Sequence, residues 1–312
     1  MKYVMHPHHW EITARDLDAA GHERVTSLDE ADVLIFTSGN PRDFPERLPA
    51  NIGWVQYGFT GVNHLIKRGL IKGGGVRWCN TAGAFAMPVA ESALALLLAQ
   101  AHQHKAAGMQ RDWSKNEQLD AAQAWLYSAK GQDAKEVAVV GAGGIGKALI
   151  AMLKPFGVRI VAVNRSGREV PGADRTVPAS EVSSVWPTAD FVVLTMPHTP
   201  ETDKLIGREA LKAMKDSAIL VNVGRGKTVD TDALVWALES GEIAGAGLEV
   251  VDPEPLPSDH ALWGLPNCTI TPHIAANSSV AMWHLGEIVN ANGAAFAAGE
   301  TMPTEVDPER GY

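Results

Sequence analysis

Three side chains able to bind an anion or move a proton follow predicted buried strands. Arg225 stands between two glycines in the stretch V-N-V-G-R-G, Glu254 lies in L-E-V-V-D-P-E-P-L-P, and His273 lies in I-T-P-H-I-A. Ligands of open parallel sheets bind just outside the carboxyl ends of the strands, where these three residues are expected. They are therefore the candidate reactive groups of the chain.

An arginine, a carboxylate and an imidazole together suit the reduction of a 2-oxo acid. Arg225 can hold the substrate carboxylate and polarise the ketone, while the imidazolium of His273 can protonate the oxygen that becomes the hydroxyl. Glu254 would orient the imidazole and favour its charged form, because a nearby negative charge stabilises the imidazolium. Each residue also has a purely structural interpretation: Arg225 as an ion pair, Glu254 as a loop charge and His273 as a hydrogen-bonded core histidine. To replace the catalytic interpretation, these three structural interpretations would all have to be true together.

A glycine-rich fingerprint indicates a dinucleotide site. Residues 137–140 form a short apolar run typical of a strand buried on both faces, and a helical pattern follows through Met152. Between them, Gly141, Gly143 and Gly146 have the spacing G-x-G-x-x-G, which lets the backbone approach a pyrophosphate at a helix N-terminus. The flanking strand and helix favour this interpretation over a glycine-rich structural turn.

The end of the next strand predicts which dinucleotide is bound. The strand at 159–163 is followed by Asn164, Arg165, Ser166, Gly167 and Arg168, and no carboxylate comes before Glu169. An acid at this place would accept hydrogen bonds from a ribose 2′-hydroxyl, whereas two guanidiniums and a hydroxyl suit a 2′-phosphate. We predict NADP, with NAD as the alternative if the two arginines are only solvated loop charges.

Alternating strands and helices must position these groups. Before the fingerprint, strands are predicted at 2–5, 32–36, 53–57 and 76–79, a helical segment near 16–21, and a long helix at 87–104 with Pro88 in its first turn. After it, strands are predicted at 159–163, 191–195, 218–223, 245–250 and 269–271, and helices at 208–214, 231–240 and 281–298. This order predicts the α/β class with a doubly wound parallel sheet.

Composition narrows the class of protein further. The chain has 312 residues, long enough for two domains, with 46% hydrophobic and 20% charged residues and a net charge of -9. The excess of acid argues against nucleic acid or an anionic membrane as partner, and no apolar run is long enough to span a bilayer. Cys79 and Cys268 form no spacing motif, and the N-terminus lacks an apolar export segment. We therefore expect reduced core thiols and a cytoplasmic protein.

Two further stretches have open interpretations. The polar segment 105–131 carries scattered large side chains, namely Met109, Trp113, Leu119, Trp125 and Leu126. Indole rings are costly to expose, so the segment is predicted to be an arm on a second subunit, or else a strap on its own domain. The H-P-H-H stretch at 6–9 invites a metal interpretation, but no nearby cysteine or acid pair completes a ligand set, and we predict no metal.

The ordered motifs resemble the D-isomer-specific 2-hydroxyacid dehydrogenase family over nearly the whole chain. The matching stretches are Q-Y-G-F-T-G-V-N-H at 56–64, N-T-A-G-A-F-A-M-P-V-A-E at 80–91, V-G-A-G-G-I-G at 140–146, T-M-P-H-T-P-E-T at 195–202, V-N-V-G-R-G-K-T-V-D at 221–230, A-G-L-E-V-V-D-P-E-P-L-P at 246–257 and N-C-T-I-T-P-H-I-A at 267–275. The resemblance implies that Arg225, Glu254 and His273 are the catalytic residues. It also implies that backbone amides of Thr60 and Gly61 hold the substrate carboxylate.

The resemblance further implies a domain arrangement. A Rossmann cofactor domain, residues 104–279, would be inserted in a smaller flavodoxin-like substrate domain, residues 1–103 and 280–312, with a closing cleft between them and a homodimer as the assembly. The expected cofactor contacts are Gly141, Gly143, Gly144, Ile145, Gly146, Asn164, Arg165, Ser166, Arg168, Pro197, Val223, Gly224 and Glu249.

Departures from the family pattern refine these expectations. Glu249 stands where the family usually has an aspartate that meets the nicotinamide carboxamide, and Asn63 replaces the aspartate of the G-V-D turn. The basic loop at 164–168 is similar to the glyoxylate and hydroxypyruvate reductase branch, so small hydrophilic 2-oxo acids are the expected substrates.

Two alternatives use the same fold. A dinucleotide-sensing corepressor would be a binding module, yet this chain keeps all three catalytic residues and shows no long disordered tails. A same-fold dehydrogenase for formate or phosphite is the other alternative. Glu254 argues against formate, where the resemblance leads one to expect glutamine.

Overall fold

Short apolar strands build two parallel sheets in the computed structural model, which describes residues 1–127 and 134–309. The strands are β1 (Lys2–His6), β2 (Glu23–Arg24), β3 (Val33–Phe36), β4 (Trp54–Tyr57), β5 (Arg77–Cys79), β6 (Glu136–Val140), β7 (Arg159–Asn164), β8 (Arg175–Pro178), β9 (Phe191–Leu194), β10 (Ile219–Asn222), β11 (Gly245–Leu248) and β12 (Cys268–Ile270). The helices are α1 (Glu11–Ala19), α2 (Asn63–Lys67), α3 (Ala86–Ala101), α4 (His104–Gln110), α5 (Glu117–Ala122), α6 (Gly144–Leu153), α7 (Arg208–Ala213), α8 (Thr231–Ser240), α9 (Ala261–Gly264) and α10 (Ser278–Ala297).

Contacts divide the chain into two units, each with its own sheet. The first unit joins residues 1–85 to the C-terminal segment from Asn277, and its strand order is β2-β1-β3-β4-β5. That is the flavodoxin-like order 2-1-3-4-5. One face of this sheet packs Phe36, Tyr57 and Trp78, and the other packs Trp54 and Leu285. The flavodoxin-like prediction is confirmed.

The second unit, residues 86–276, holds the larger sheet in the order β12-β11-β10-β9-β6-β7-β8. Counted from β6, this is the Rossmann order 3-2-1-4-5-6 with one added strand. All residues of β6, β9, β10 and β11 are buried, as expected for parallel strands covered by helices on both faces. The predicted α/β doubly wound fold is confirmed, and the strand order reverses between β6 and β9.

The unit boundaries differ from the predicted ranges. The division falls at 85/86 and 276/277, whereas the sequence predicted 103/104 and 279/280. The reason is α3, which packs on α6, β10 and β11 and so groups with the Rossmann unit. The C-terminal helix α10 packs on α1 in the first unit.

Local differences have identifiable physical causes. The edge strands β2 and β8 were not predicted, because both are short and carry exposed polar or charged residues. The helix predicted near 16–21 lies earlier, at Glu11–Ala19. The long helix ends at Ala101 because Gln103 adopts a left-handed conformation with φ of 57°, and α4 begins after it.

The described part of the predicted arm, residues 105–127, contains α4 and α5 and exposes several large side chains. Trp113 is fully exposed, and Met109, Trp125 and Tyr127 are more than half exposed, whereas Leu126 is buried. Residues 128–131 of the predicted arm lie outside the described residues. Within the described ranges, no helix combines the length and apolar character needed to cross a bilayer.

Candidate active site

The imidazole of His273 and the carboxylate of Glu254 form a direct pair in the Rossmann unit. Nδ1 of His273 is hydrogen-bonded to Oε1 of Glu254, and their side chains are 52% and 41% exposed. Glu254 lies on the loop after β11, and His273 follows β12, which is the neighbouring strand. Since the carboxylate fixes the ring through Nδ1, Nε2 is the nitrogen left to exchange a proton with a ligand.

The segment after β12 continues alongside β11 and carries His273 in an uncommon backbone conformation. Thr271 N donates to Leu248 O at 2.9 Å, and His273 N donates to Glu249 O at 3.0 Å. His273 has a φ of 54°, in the left-handed region that a residue with a side chain adopts at a cost. The imidazole position therefore depends on what holds this backbone.

Arg225 follows β10 in a turn organised by a buried asparagine. The side chain of Asn222 is fully buried, its amide donates to Arg225 O at 3.0 Å, and its oxygen accepts from Gly224 N at 3.0 Å. The guanidinium of Arg225 donates to Gly224 O at 2.7 Å. The turn thus fixes the base of an exposed arginine whose head can meet a ligand.

The glycines beside Arg225 are required by close backbone approaches. A Cβ on Gly224 would lie 2.5 Å from Met196 O, and a Cβ on Gly226 would lie 1.8 Å from Val251 O. The glycine at 226 brings the turn after β10 against the loop that carries Glu254. The space that a side chain would need at both glycines is therefore occupied by neighbouring backbone.

Glu254 links the arginine and the histidine electrostatically. The side chain of Arg225 reaches solvent, yet the protein mass packed around its guanidinium partly desolvates it and lowers the pKa of Arg225, and the negative charge of Glu254 opposes that shift. An arginine stays protonated across the working pH range, so a permanent cation interacts through space with the carboxylate that bonds the imidazole. His273 and Glu254 line a cavity of about 500 Å³, whose other lining residues include Glu249, Leu256, Trp263 and Ile270.

The glycine loop between β6 and α6 has the shape that a pyrophosphate needs. Gly141 has a φ of 101°, and a Cβ there would lie 2.6 Å from Met196 N, while a Cβ on Gly146 would lie 2.8 Å from Gly141 O. The first turn of α6 has no side-chain cap at Gly143, and a Cβ on Gly144 would meet only Ala86 at 3.6 Å. The open helix N-terminus fits a dinucleotide phosphate.

The loop after β7 is ordered by Asn164. Its amide donates to Arg168 O at 2.6 Å, and its oxygen accepts from Ser166 N at 3.1 Å. Ser166 Oγ in turn accepts from Arg168 N at 3.3 Å. Arg165, Ser166 and Arg168 are exposed, so a cluster of anion-binding groups lies at the place where a Rossmann fold meets the adenosine ribose.

The remaining predicted cofactor residues lie on neighbouring turns of the same unit. Pro197 is exposed on the loop after β9, where its carbonyl accepts from Thr202 Oγ1 at 2.9 Å. Val223 is buried directly after β10. Thr195, which the sequence did not single out, donates to Gly141 O at 2.7 Å and so supports the glycine loop.

Glu249 is buried, and its carboxylate oxygens are bonded inside the protein. They accept from the Thr271 hydroxyl and from Ala275 N, and Ser92 Oγ lies at 3.4 Å. Sequence reasoning missed Thr271 and Ser92. The signal that could have identified Thr271 is its place directly before Pro272 and His273.

Thr60 and Gly61 lie in the first unit, on the loop after β4. Thr60 Oγ1 donates to Thr81 O at 3.1 Å, and Asn80 Nδ2 donates to Thr60 O at 3.1 Å. Asn80 and Thr81 are buried, so this loop is anchored to the core of its own unit. Asn80 was not singled out in the sequence.

The N-terminal histidines engage separate partners. His6, the last residue of β1, is bonded through Nε2 to Asp43 O at 2.9 Å, and His9 pairs with Glu11 at 2.8 Å. His8 uses its backbone N–H, which donates to Thr37 Oγ1 at 2.9 Å. Cys79 and Cys268 are both free and buried, as predicted for core thiols.

Comparisons with known proteins identify a matching family model and similar sequences. A family model described as "D-isomer specific 2-hydroxyacid dehydrogenase, NAD binding domain" matches residues 93–275. The chain is 46% identical over its full length to an uncharacterised protein of Corynebacterium melassecola, which it covers completely. It is 37% identical to a glyoxylate reductase of Pyrococcus horikoshii, with 84% of this chain and 77% of the relative covered.

A solved structure is similar over the whole chain. It is a D-isomer specific 2-hydroxyacid dehydrogenase from Xanthobacter autotrophicus Py2 in complex with NADPH and MES. The TM-score is 0.78 at 26% identity, with 100% of this chain and 99% of that chain covered.

Proposed function

The chain belongs to the D-isomer-specific 2-hydroxyacid dehydrogenase family, and we propose that it reduces a small 2-oxo acid of the glyoxylate or hydroxypyruvate type with NADPH. The product is the corresponding D-2-hydroxy acid. The observation that carries the proposal is the His273–Glu254 hydrogen bond together with the electrostatic interaction between Glu254 and Arg225, the three residues following neighbouring strands at their carboxyl ends. The similarity to glyoxylate reductases supports the choice of substrate class.

Each of the three residues has one role. Arg225 holds the substrate carboxylate and polarises the ketone, because its guanidinium is a permanent cation with several donors. His273 donates a proton from Nε2 to the ketone oxygen, and Glu254 holds the ring through Nδ1. A bound reduced nicotinamide supplies the hydride. Thr60 and Gly61 offer backbone amides to the substrate carboxylate.

The preference for NADPH rests on the loop after β7. Arg165, Ser166 and Arg168 present two cations and a hydroxyl where a carboxylate would select the unphosphorylated ribose. The solved dehydrogenase at 26% identity holds NADPH, which supports the same choice here. Gly143, Gly144 and Ile145 at the N-terminus of α6 would hold the pyrophosphate, with Gly141 and Gly146 allowing the tight loop before the helix. Pro197, Val223, Gly224 and Glu249 would contact the nicotinamide half.

The assembly and location complete the proposal. The exposed indoles of Trp113 and Trp125 on the arm are apolar surface that a second copy of the chain can cover, so we expect a homodimer. The two free, buried thiols suit a reducing compartment such as the cytoplasm.

The test is a set of initial rates with glyoxylate, hydroxypyruvate, pyruvate and phenylpyruvate, each with NADPH and with NADH. We expect the highest kcat/KM for glyoxylate or hydroxypyruvate with NADPH. Turnover of phenylpyruvate alone would contradict the substrate class, and equal rates with NADH would contradict the cofactor preference. NADPH binding without turnover of any of the four would favour the sensing module.

A further inference from the structure

The buried carboxylate of Glu249 contacts the backbone segment that carries His273 on both sides of the histidine. Glu249 is 3% exposed and follows β11 directly. Its Oε2 accepts from the hydroxyl of Thr271, two residues before His273, and its Oε1 accepts from Ala275 N, two residues after it. One side chain thus joins the two ends of a five-residue stretch.

The stretch between these two bonds needs an external hold. His273 has a φ of 54°, which costs free energy for a residue with a side chain and persists only where the surroundings fix it. Its backbone N–H donates to Glu249 O at 3.0 Å, so the same glutamate also holds the centre of the segment. Glu249 therefore contacts the segment at Thr271, His273 and Ala275.

We propose that Glu249 is a positioning residue, which fixes the backbone at 271–275 and thereby places the imidazole of His273. This role rests on the proposed function and differs from that of Glu254, which orients the ring itself. The extra methylene, relative to the aspartate that the family resemblance leads one to expect, extends the carboxylate toward this segment. A carboxylate has about four acceptor sites, so these bonds leave room for a nicotinamide carboxamide.

The position of the His273 imidazole should control kcat. A general acid must lie within about 2.6–3.2 Å of the atom that it protonates, and a misplacement of about 1 Å can cost about 100-fold in rate. Loosening the segment therefore lowers kcat, while the glycine loop and the arginine loop that bind the cofactor stay intact. A lower kcat after removal of the Glu249 carboxylate has two explanations, because Glu249 is also a proposed cofactor contact. A second variant that leaves Glu249 in place is therefore needed.

The experiment uses Glu249→Met, which removes both carboxylate oxygens at similar side-chain length, and Thr271→Val, with Thr269→Val as the matched control. Thr271→Val removes only the hydroxyl that bonds Glu249. Thr269 lies two residues earlier, and its hydroxyl accepts from Gln100 Nε2 at 2.5 Å, away from Glu249. For each variant we measure kcat for glyoxylate reduction, the NADPH dissociation constant by fluorescence, and hydrogen exchange at the Ala275 amide without cofactor.

The expected result is a kcat lower by about 10- to 100-fold in Thr271→Val and Glu249→Met, because the imidazole is displaced. In Thr271→Val the dissociation constant of NADPH stays unchanged. The Ala275 amide exchanges faster in Glu249→Met than in the parent chain, and Thr269→Val leaves kcat and exchange unchanged.

Parent-like exchange at Ala275 in Glu249→Met, which has no side-chain oxygen, would overturn the proposal, whatever the effect on turnover. A loss of kcat in Thr269→Val as large as that in Thr271→Val would also overturn it, since strand damage would then explain both. If the parent chain reduces none of the oxo acids, the proposed function fails, and amide exchange still decides whether Glu249 holds the segment.

Discussion

The backbone position of Arg225 is fixed by Asn222 and by the glycines on either side of it. Asn222 bonds the turn from inside the sheet, and Gly224 and Gly226 let the turn approach the backbone at Met196 and Val251. The sequence could predict the arginine and the glycines from their spacing. It could not predict the function of Asn222, because a buried asparagine at a strand end has many possible partners until the fold is known.

Replacing Arg225 by alanine tests the substrate-binding role. Since the guanidinium stabilises charge on the substrate, we expect Arg225→Ala to lose turnover by roughly 100-fold or more, by analogy with the removal of one oxyanion donor. NADPH binding should persist, because the glycine loop is unaffected. Steady-state kinetics and fluorescence titration measure both, with the exposed Arg208→Ala as control; unchanged turnover would refute the role.

Asn164→Asp tests the phosphate pocket. The aspartate would repel a 2′-phosphate, accept bonds from a free ribose hydroxyl, and lose the donor that now bonds Arg168 O. The ratio of kcat/KM for NADPH to that for NADH should therefore fall. Asn164→Ala, which removes the same donor without adding charge, is the control. An unaltered ratio in Asn164→Asp would mean that the phosphate is bound elsewhere.

At the scale of elements, the site depends on how the turn after β10 meets the loop after β11. A Cβ at Gly226 would lie 1.8 Å from Val251 O, so the two loops could not keep their distance with any other residue there. The turn carries Arg225, and the loop continues to Glu254. Their contact is therefore the structural basis for keeping the arginine near the carboxylate.

Gly226→Ala should destabilise the Rossmann unit as well as lower turnover. Overpacking costs about 1–3 kcal/mol of the free energy of unfolding, and a backbone atom is a neighbour that cannot rotate away. The urea midpoint of the variant measures this loss. The matched control is Gly264→Ala at the end of α9, where a Cβ would meet nothing within 4 Å. Equal midpoints for the two variants would contradict the close approach.

At the scale of the whole molecule, sequence patterns predicted the two parallel sheets because each buried strand is a continuous apolar run between turn residues. They missed β2 and β8, whose exposed polar residues give no such run. The unit boundary was predicted too late along the chain, since an apolar helix does not reveal which sheet it covers. The candidate catalytic residues were predicted from motifs, whereas the contacts of Glu249 depend on how β11 and β12 are paired.

Stability should fall at alkaline pH. Burial raises the pKa of Cys79 and of Cys268 from a usual value near 9 to about 12, and it raises the pKa of Tyr57 to about 12. Unfolded thiols lose their protons first, so the unfolded state binds fewer protons between about pH 9 and 12 and the free energy of unfolding falls as pH rises through that window. Urea titrations at pH 8 and pH 10 measure the effect. A stability that rises between them would contradict the burial of these groups.

The most direct test of the catalytic assignment is the turnover of His273→Asn with glyoxylate and NADPH. Asparagine tolerates the left-handed conformation of this position and cannot donate a titrating proton, so the backbone should be kept while the acid is lost. We predict a kcat lower by about 100- to 10,000-fold with NADPH binding retained. A variant that binds NADPH and turns over glyoxylate at the parent rate would contradict the role of His273 as the proton donor.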